Sequence, residues 1–341
     1  MGARSPTSRP VTADSDTGYR WVVEFDELDR RVVHALQVDG RAGFTAIAAV
    51  LGVSDQTVAR RYRRMLGAGV LRVAAQVDPW RTGQVRWYFR LWCRPGAAPA
   101  VAEALAKRPD TSFIQLVSAG TEVNCVVQVR SPDDRDALLL DKLPRTPQVL
   151  SVSAHCLLHM YYGGAAQPPT LTGTLTAEQV AALSPPPPRP TAGRVELTGP
   201  DLPLLDELAR DGRAGYADLA KAVGWSESAV RRRVEHLRAE GALFFDVDVA
   251  PRAIGFDAQA RLWLSVAPAE LDAVGRAMAG HPEVAFVAST TGRTNLVAAV
   301  VCREVSDLHE YVTGRLAGLA GITGMETAPV IRVVKGAAAV F

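Results

Sequence analysis

No run of apolar residues in this sequence approaches the roughly 20 needed for a membrane-spanning helix. Cysteine is scarce and scattered: Cys93, Cys125, Cys156 and Cys302 form no CxxC pair, which excludes a zinc ribbon and a thioredoxin-type site. Each lies in an apolar, strand-like run, as expected for buried thiols of a protein kept in the reducing cytoplasm. Neither sign of charge is in excess, with 38 Lys and Arg against 36 Asp and Glu for a net of +2. Attraction to a polyanion must therefore come from local clustering. Gly318, Gly321 and Gly324 precede no Lys-Ser/Thr, so no phosphate loop is implied. Met1 to Thr17 is polar, Arg- and Pro-bearing, and has no apolar centre for a secretion signal; residues 1–20 read as a disordered tail.

What the sequence does have is a second copy of itself. Asp29 to Pro79 aligns with Asp201 to Pro251 at one offset (201 − 29 = 172). The five residues Asp39-Gly40-Arg41-Ala42-Gly43 recur unchanged as Asp211 to Gly215. Self-similarity over this length means two copies of one folded unit.

Periodicity divides each copy into two parts. In the first, apolar Val32, Val33 and Leu36 space a helix over about Asp26–Val38. After a polar break at Asp39-Gly40-Arg41, a short helix follows at Thr45–Leu51. Gly52 supplies a tight turn, Ser54 caps a third helix over Asp55–Leu66, and Val70–Val77 alternates as a strand. This is a helix-turn-helix with a β extension. The remainder reads strand, helix, two strands, helix (Pro132–Leu143) and strand, the βαββαβ order of a ferredoxin-like sandwich. The second copy repeats it, with strands near residues 261–266, 283–289, 295–301 and 327–334 and helices near 269–279 and 304–317. The expected class is α+β. Its predicted domains are residues 21–79 (head), 80–162 (sandwich), 163–193 (linker), 194–251 (head) and 252–341 (sandwich). The linker contains Pro185 to Pro188 and reads as a semi-rigid spacer, with two helical turns at Thr176–Leu183.

The third helix of each head carries the candidate chemistry. With Val58, Tyr62 and Met65 or Leu66 inward, the residues Ser54, Gln56, Thr57, Arg60, Arg61 and Arg64 lie at or near the outer side. Arg suits guanine edges and phosphates, Gln suits adenine, and the Thr methyl suits thymine. In the second copy the corresponding stretch offers Ser226, Ser228, Arg231, Arg232 and Arg233. The alternative is a solvated charged face with no partner. Ser54–Leu71 holds four arginines and one acid, whereas Ser226–Leu243 holds four arginines and three glutamates. Phosphate contacts dominate affinity, so the first head is expected to bind DNA more strongly and more salt-dependently.

The stretch LDRRVVHALQVDGRAGFTAIAAVLGVSDQTVARRYRRMLGAGVLR, followed by a βαββαβ domain and closing on GITGMETAPVIRVVKG, resembles the Lrp/AsnC transcription regulators. The resemblance runs from Asp26 to Lys335 outside the linker, twice over. It implies double-stranded DNA as partner, sandwiches that pair within the chain, further homo-oligomerisation, and an amino-acid-like effector bound between sandwiches. That family's effector loop reads Gly-x-x-Asp. The positions aligned with it are Gly120 to Asn124, one residue longer, and Gly292 to Asn295, so Asn stands for the acid in both copies. Ser118, Gly120, Thr121 and Asn124 in the first loop, with Thr290, Thr291, Gly292, Arg293 and Asn295 in the second, are the candidate effector contacts. A plain connecting turn is the other reading.

An enzymatic alternative shares the architecture: proteins that decarboxylate sirohaem-type tetrapyrroles. The stretches TSFIQLVSAGTEVN and EVAFVASTTGRTN hold no histidine, which tells against it. His155 and His159, on a predicted strand, would stand roughly 13 Å apart, too far to share a metal ion. Asp133 and Asp134 fall in the first turn of a predicted helix, where acids suit its dipole. No cofactor, metal site or catalytic residue is implied.

Overall fold

The computed structural model describes residues 25–129, 133, 136, 146–164, 173–189 and 193–337. Each head is a three-helix unit with one strand. The first comprises α1 (Glu27–Val38), α2 (Phe44–Leu51), α3 (Asp55–Gly67) and β1 (Leu71–Val77). Asp26 opens α1 with a reciprocal capping box to Asp29, and Gly52 ends α2 in the left-handed conformation that lets the chain turn into α3.

The first sandwich follows as β2 (Val85–Cys93), α4 (Ala98–Ala106), β3 (Thr111–Val117), β4 (Glu122–Val129) and β5 (Val149–Tyr162). The helix expected at Pro132–Leu143 lies, apart from Asp133 and Asp136, outside the described residues. Within the connector, α5 (Ala177–Leu183) is not a free spacer. It packs on the first head, burying Leu183, and the N–H groups of Thr174 and Leu175 both donate to His34 Nδ1 at 2.9 Å.

The second head is α6 (Asp201–Arg210), α7 (Tyr216–Val223), α8 (Glu227–Ala239) and β6 (Leu243–Val249). The second sandwich is β7 (Ala258–Val266), α9 (Leu271–Ala279), β8 (Val284–Thr290), β9 (Leu296–Cys302), α10 (Val305–Tyr311) and β10 (Ile322–Lys335). The expected helix over 304–317 ends its α-helical part at Tyr311 and continues as a π turn over Val312–Leu316.

The two heads are one body. β1 and β6 pair antiparallel from Leu71↔Val249 to Val77↔Leu243, and both helical units drain into one hydrophobic core. The sandwiches are likewise fused. The first four strands order as β5-β2-β4-β3 and the second as β10-β7-β9-β8. β5 then continues past β2 to pair with β8, and β10 continues past β7 to pair with β3, closing an eight-stranded barrel. The first sandwich keeps an apolar layer beneath α4 and the second beneath α9 and α10, while Tyr88, Val126, Leu157, Trp263, Ala288 and Val297 fill the seam between them. Among the described residues no helix is long and apolar enough to cross a membrane.

Strand register also corrects the repeat. β2 and β7 are equivalent at an offset of 173 (258 − 85 = 173), as are Leu91–Val123 and Leu264–Leu296 across their ladders. One residue has therefore been added between the head and the sandwich of the second copy.

Candidate nucleic-acid interface and effector loops

The apolar face of α3 is anchored by Val58, Tyr62 and Met65, all buried, while Leu66 stays partly exposed. Ser54 Oγ accepts the Thr57 N–H and so serves as the cap, with Thr57 Oγ1 2.9 Å from it. That leaves Gln56, Arg60 and Arg63 exposed along the outer side. Arg63 joins this face although the pattern of outward positions in the sequence did not select it.

Arg61 does not belong with them. Its Nη1 donates to Asp26 at 2.6 Å and to Asp29 at 2.9 Å, strapping α3 to the start of α1. Arg64 also pairs with Asp29, whose side chain is fully buried. Burial alone would raise the Asp26 carboxyl, but the Arg61 and Asp29 N–H bonds outweigh it and hold it below the usual range. Arg233 repeats the arrangement in the second head. It grips buried Asp201 through Nε at 2.7 Å and Nη2 at 2.6 Å. Burial alone would raise the Asp201 carboxyl, but the Arg233 contact together with the Thr198 N–H and hydroxyl bonds depresses it. Arg61 and Arg233 are thus helix clamps first.

On α8, Ser226 caps the helix through the Ala229 N–H, and Ser228, Arg231 and Arg232 are exposed. Arg231 lies 4.4 Å over the Tyr216 ring and pairs with Glu227 at 3.3 Å. The second reader helix accordingly presents fewer uncommitted cations than the first.

The repeated Asp-Gly-Arg-Ala-Gly segment is where the two heads meet. Arg41 donates to the carbonyls of Gly212 (2.7 Å) and Ala214 (3.0 Å), and Arg213 returns the same bonds to Gly40 (2.6 Å) and Ala42 (2.9 Å). A Cβ on Gly40 would stand 2.8 Å from Phe245 Cβ, and one on Gly212 would stand 3.0 Å from the Val73 carbonyl. Only glycine admits the opposite head that closely. In sequence this segment is a polar break between two helices; in the fold it is a joint.

The loops between the second and third sandwich strands are equal in length at this register (290 − 117 = 173 and 296 − 123 = 173), so the extra residue expected in the first is absent, and they differ in backbone path and partners instead. In the first, Ser118, Ala119 and Gly120 run consecutively through positive φ (52°, 59° and 79°), a strained path for two non-glycine residues. Thr121 Oγ1 donates to Ser118 O. Ser118 Oγ donates to Glu122 Oε2 at 3.1 Å, and Arg90 Nε donates to Glu122 Oε1 at 2.6 Å. At the sandwich offset Glu122, not Asn124, is the counterpart of Asn295 (295 − 122 = 173). The first copy therefore retains a carboxylate where the sequence alignment had placed Asn. Asn124 lies deeper in β4, fully buried, with neither side-chain polar atom partnered.

In the second loop Asn295 bonds both the N–H and the carbonyl of Val266 at 2.8 Å, extending the β7–β9 ladder. Those atoms are spent on the fold. Thr290 Oγ1 donates to Thr294 O, and Thr291 Oγ1 accepts the Cys156 N–H. Gly292, at φ 116°, sits against His155, whose Nδ1–H donates to Thr291 O at 2.7 Å. Arg293 is exposed, and its carbonyl accepts Ser265 Oγ. His155 and His159 both lie on β5, the first tilted against Trp263 and the second edge-on to Tyr161. Among the described residues no group of three His, Cys, Asp or Glu side chains forms a metal site.

Comparison with known proteins places these features. An AsnC-type helix-turn-helix domain model matches residues 25–66 and 199–238, and an Lrp/AsnC ligand binding domain model matches residues 259–340. An uncharacterised HTH-type transcriptional regulator of Pyrococcus furiosus is 31% identical over 144 residues, which is 42% of this chain and 97% of that protein. The HTH-type transcriptional regulator FL11 of the same organism is 25% identical over 136 residues, 40% of this chain and 89% of its own. Among solved structures, that of the siroheme decarboxylase NirDL superposes with a TM-score of 0.59 at 13% identity, covering 91% of this chain and 93% of NirDL.

Proposed function

The chain belongs to the Lrp/AsnC family, and on that footing we propose that it is a DNA-binding transcription regulator whose two unlike heads read an operator with two unlike half-sites. The observation that carries this reading is α3. Its one face is locked by Val58, Tyr62 and Met65, and its other offers Gln56, Arg60 and Arg63 to solvent beside a capped N-terminus. Recognition helices of this kind enter the major groove with their N-terminal residues on base edges. The Arg41–Arg213 joint holds the two readers in one relative pose, so half-site spacing would be fixed by the fold and not by a flexible tether. Divergence between Gln56 and Ser228 supports different base preferences in the two halves.

The proposal includes a small polar effector, of amino-acid type, at the two sandwich loops. The first is the better candidate, because left-handed Ser118 to Gly120 leaves a polar turn beside the Arg90–Glu122 pair. In vitro selection of bound DNA, with and without an amino-acid mixture, tests both parts. A motif with two different halves supports the paired readers; failure to enrich any sequence removes them. A motif indifferent to every amino acid removes the effector.

Likeness to NirDL over 91% of the chain gives a second reading, a tetrapyrrole decarboxylase. At 13% identity it supports the shared fold alone. Copurifying or added iron tetrapyrrole, followed by its visible absorption and by release of CO2, would favour that reading over DNA binding.

A further inference from the structure

At the seam between the two sandwiches, matching positions of the two halves touch each other. Arg90 of β2 and Trp263 of β7 are equivalent at the 173-residue offset, and the Arg90 guanidinium lies 4.7 Å from the Trp263 ring centre. Tyr88 and Arg261 are the next equivalent pair on the same face, and Arg261 Nε donates to the Tyr88 hydroxyl at 3.1 Å. Tyr88 meets Trp263 edge-on at 5.0 Å. A residue that touches its own equivalent must lie at the local two-fold axis, where a symmetric dimer would place two identical side chains in contact.

In both pairs one member is a cation and the other an aromatic ring, and the order is reversed between them. The first half brings Tyr88 and Arg90; the second brings Arg261 and Trp263. All four are buried. Two second halves would set Arg261 against Arg261, like charges in a place where water cannot screen them; two first halves would set Arg90 against Arg90, each still held by its own Glu122 but deprived of the Trp263 ring face. Arg90 also pairs with Glu326, which only the second half supplies, because the equivalent residue in the first half is Ser153 (326 − 153 = 173). The heads show no such preference: Arg41 and Arg213 are the same residue making the same bonds, and would serve a like pair equally well.

We propose that the sandwich seam recognises only an unlike half, its specificity set by the crossed cation–aromatic pairs Tyr88–Arg261 and Arg90–Trp263. The partner this surface fits is the complementary copy of the unit, with cation and ring exchanged at the axis. Single-unit relatives bearing the same residue at both axis positions are excluded.

The test is an exchange across the axis in the full-length chain. Tyr88→Arg makes an Arg–Arg pair, Arg261→Tyr makes a Tyr–Tyr pair, and the double variant restores one of each with sides reversed. Thermal midpoints and elution volumes are measured for all three. Each single change is expected to lower the midpoint by about 3 °C or more. The double is expected to recover at least half of the larger loss. Losses in the double that equal the sum of the singles would reduce these residues to ordinary packing and overturn the proposal, as would singles indistinguishable from the parent. Should both singles fail to fold, a folded double supports complementarity, and a double that also fails overturns it.

Discussion

Arg41 and Arg213 hold each other's backbones: each guanidinium spans two carbonyls of the opposite head and lies over its aromatic rings, Arg41 over Tyr216 and Phe245, Arg213 over Phe44 and Tyr62. A planar fork with several donors can do this, and an ammonium cannot. Arg41→Ala is therefore expected to cost about 2 kcal/mol in a urea titration, within the range for hydrogen bonds to charged groups. Arg41→Lys should recover less than half of that. If either head tolerates the change without loss, the joint is not what fixes the readers.

Arg60 and Arg61 are neighbours in sequence with different expected phenotypes. Arg60→Ala should leave the unfolding free energy within about 0.5 kcal/mol of the parent, as for exposed substitutions. It should weaken DNA binding and lower the salt slope by about 1. Arg61→Ala removes one clamp on buried Asp29, leaving Arg64, and should cost about 1–3 kcal/mol of stability. Anisotropy titrations across salt, run beside urea melts, separate the two. Arg63→Ala should behave like Arg60→Ala, and Arg232→Ala should cost less affinity than either.

His34 gives the connector a pH dependence. Its Nδ1 accepts two backbone N–H groups, from Thr174 and Leu175, so the ring must be unprotonated there. Burial lowers its pKa below 6.5. Stability from this contact is thus fully present above pH 6.5 and is lost as pH falls through the lower folded value. Protection of the Thr174 and Leu175 amides, taken as the ratio of intrinsic to observed exchange rate at each pH, should fall on acidification towards pH 5, and His34→Ala should abolish that response. Protection factors unchanged between pH 8 and 5 would show that the imidazole is not the acceptor.

Asp246 works in the opposite direction. Burial, then the Asp248 carboxylate nearby, pushes it up to about 7 from 3.8. A carboxyl that holds its proton more tightly in the folded state favours folding below pH 3.8, and that contribution is lost as pH rises towards 7. Asp246→Asn should therefore gain in stability relative to the parent across that interval, most at pH 7 and above. A constant difference between the two proteins from pH 4 to 8 would refute it.

Most elements could be read from the sequence because local periodicity and caps specify them. Asp26, Ser54 and Gly52 act at the helix ends where their side chains or backbone freedom are needed, and Val58, Tyr62 and Met65 point inward at helical spacing. What escaped was set by partners far along the chain. Arg61 looked like a DNA contact because its acids lie 32 and 35 residues earlier, at the start of another helix. The paired loops were aligned on their glycines, whereas the ladders fix register from the strands, and this moved the acidic position from Asn124 to Glu122. The Asp-Gly-Arg-Ala-Gly repeat advertised a turn; its need for glycine came from the other head's Phe245 and Val73. β10 starts at Ile322, earlier than expected, because Glu326 and its neighbours pair with β7 although exposed residues dilute their apolar alternation.

β5 and β10 each set out along their own sheet and finish on the other's rim. Neither half can then come loose without unzipping an edge that its neighbour depends on. A protease nicking the proline stretch would leave a single particle with an extra pair of ends. Melting, likewise, has no resting place at which one half stands and the other has gone.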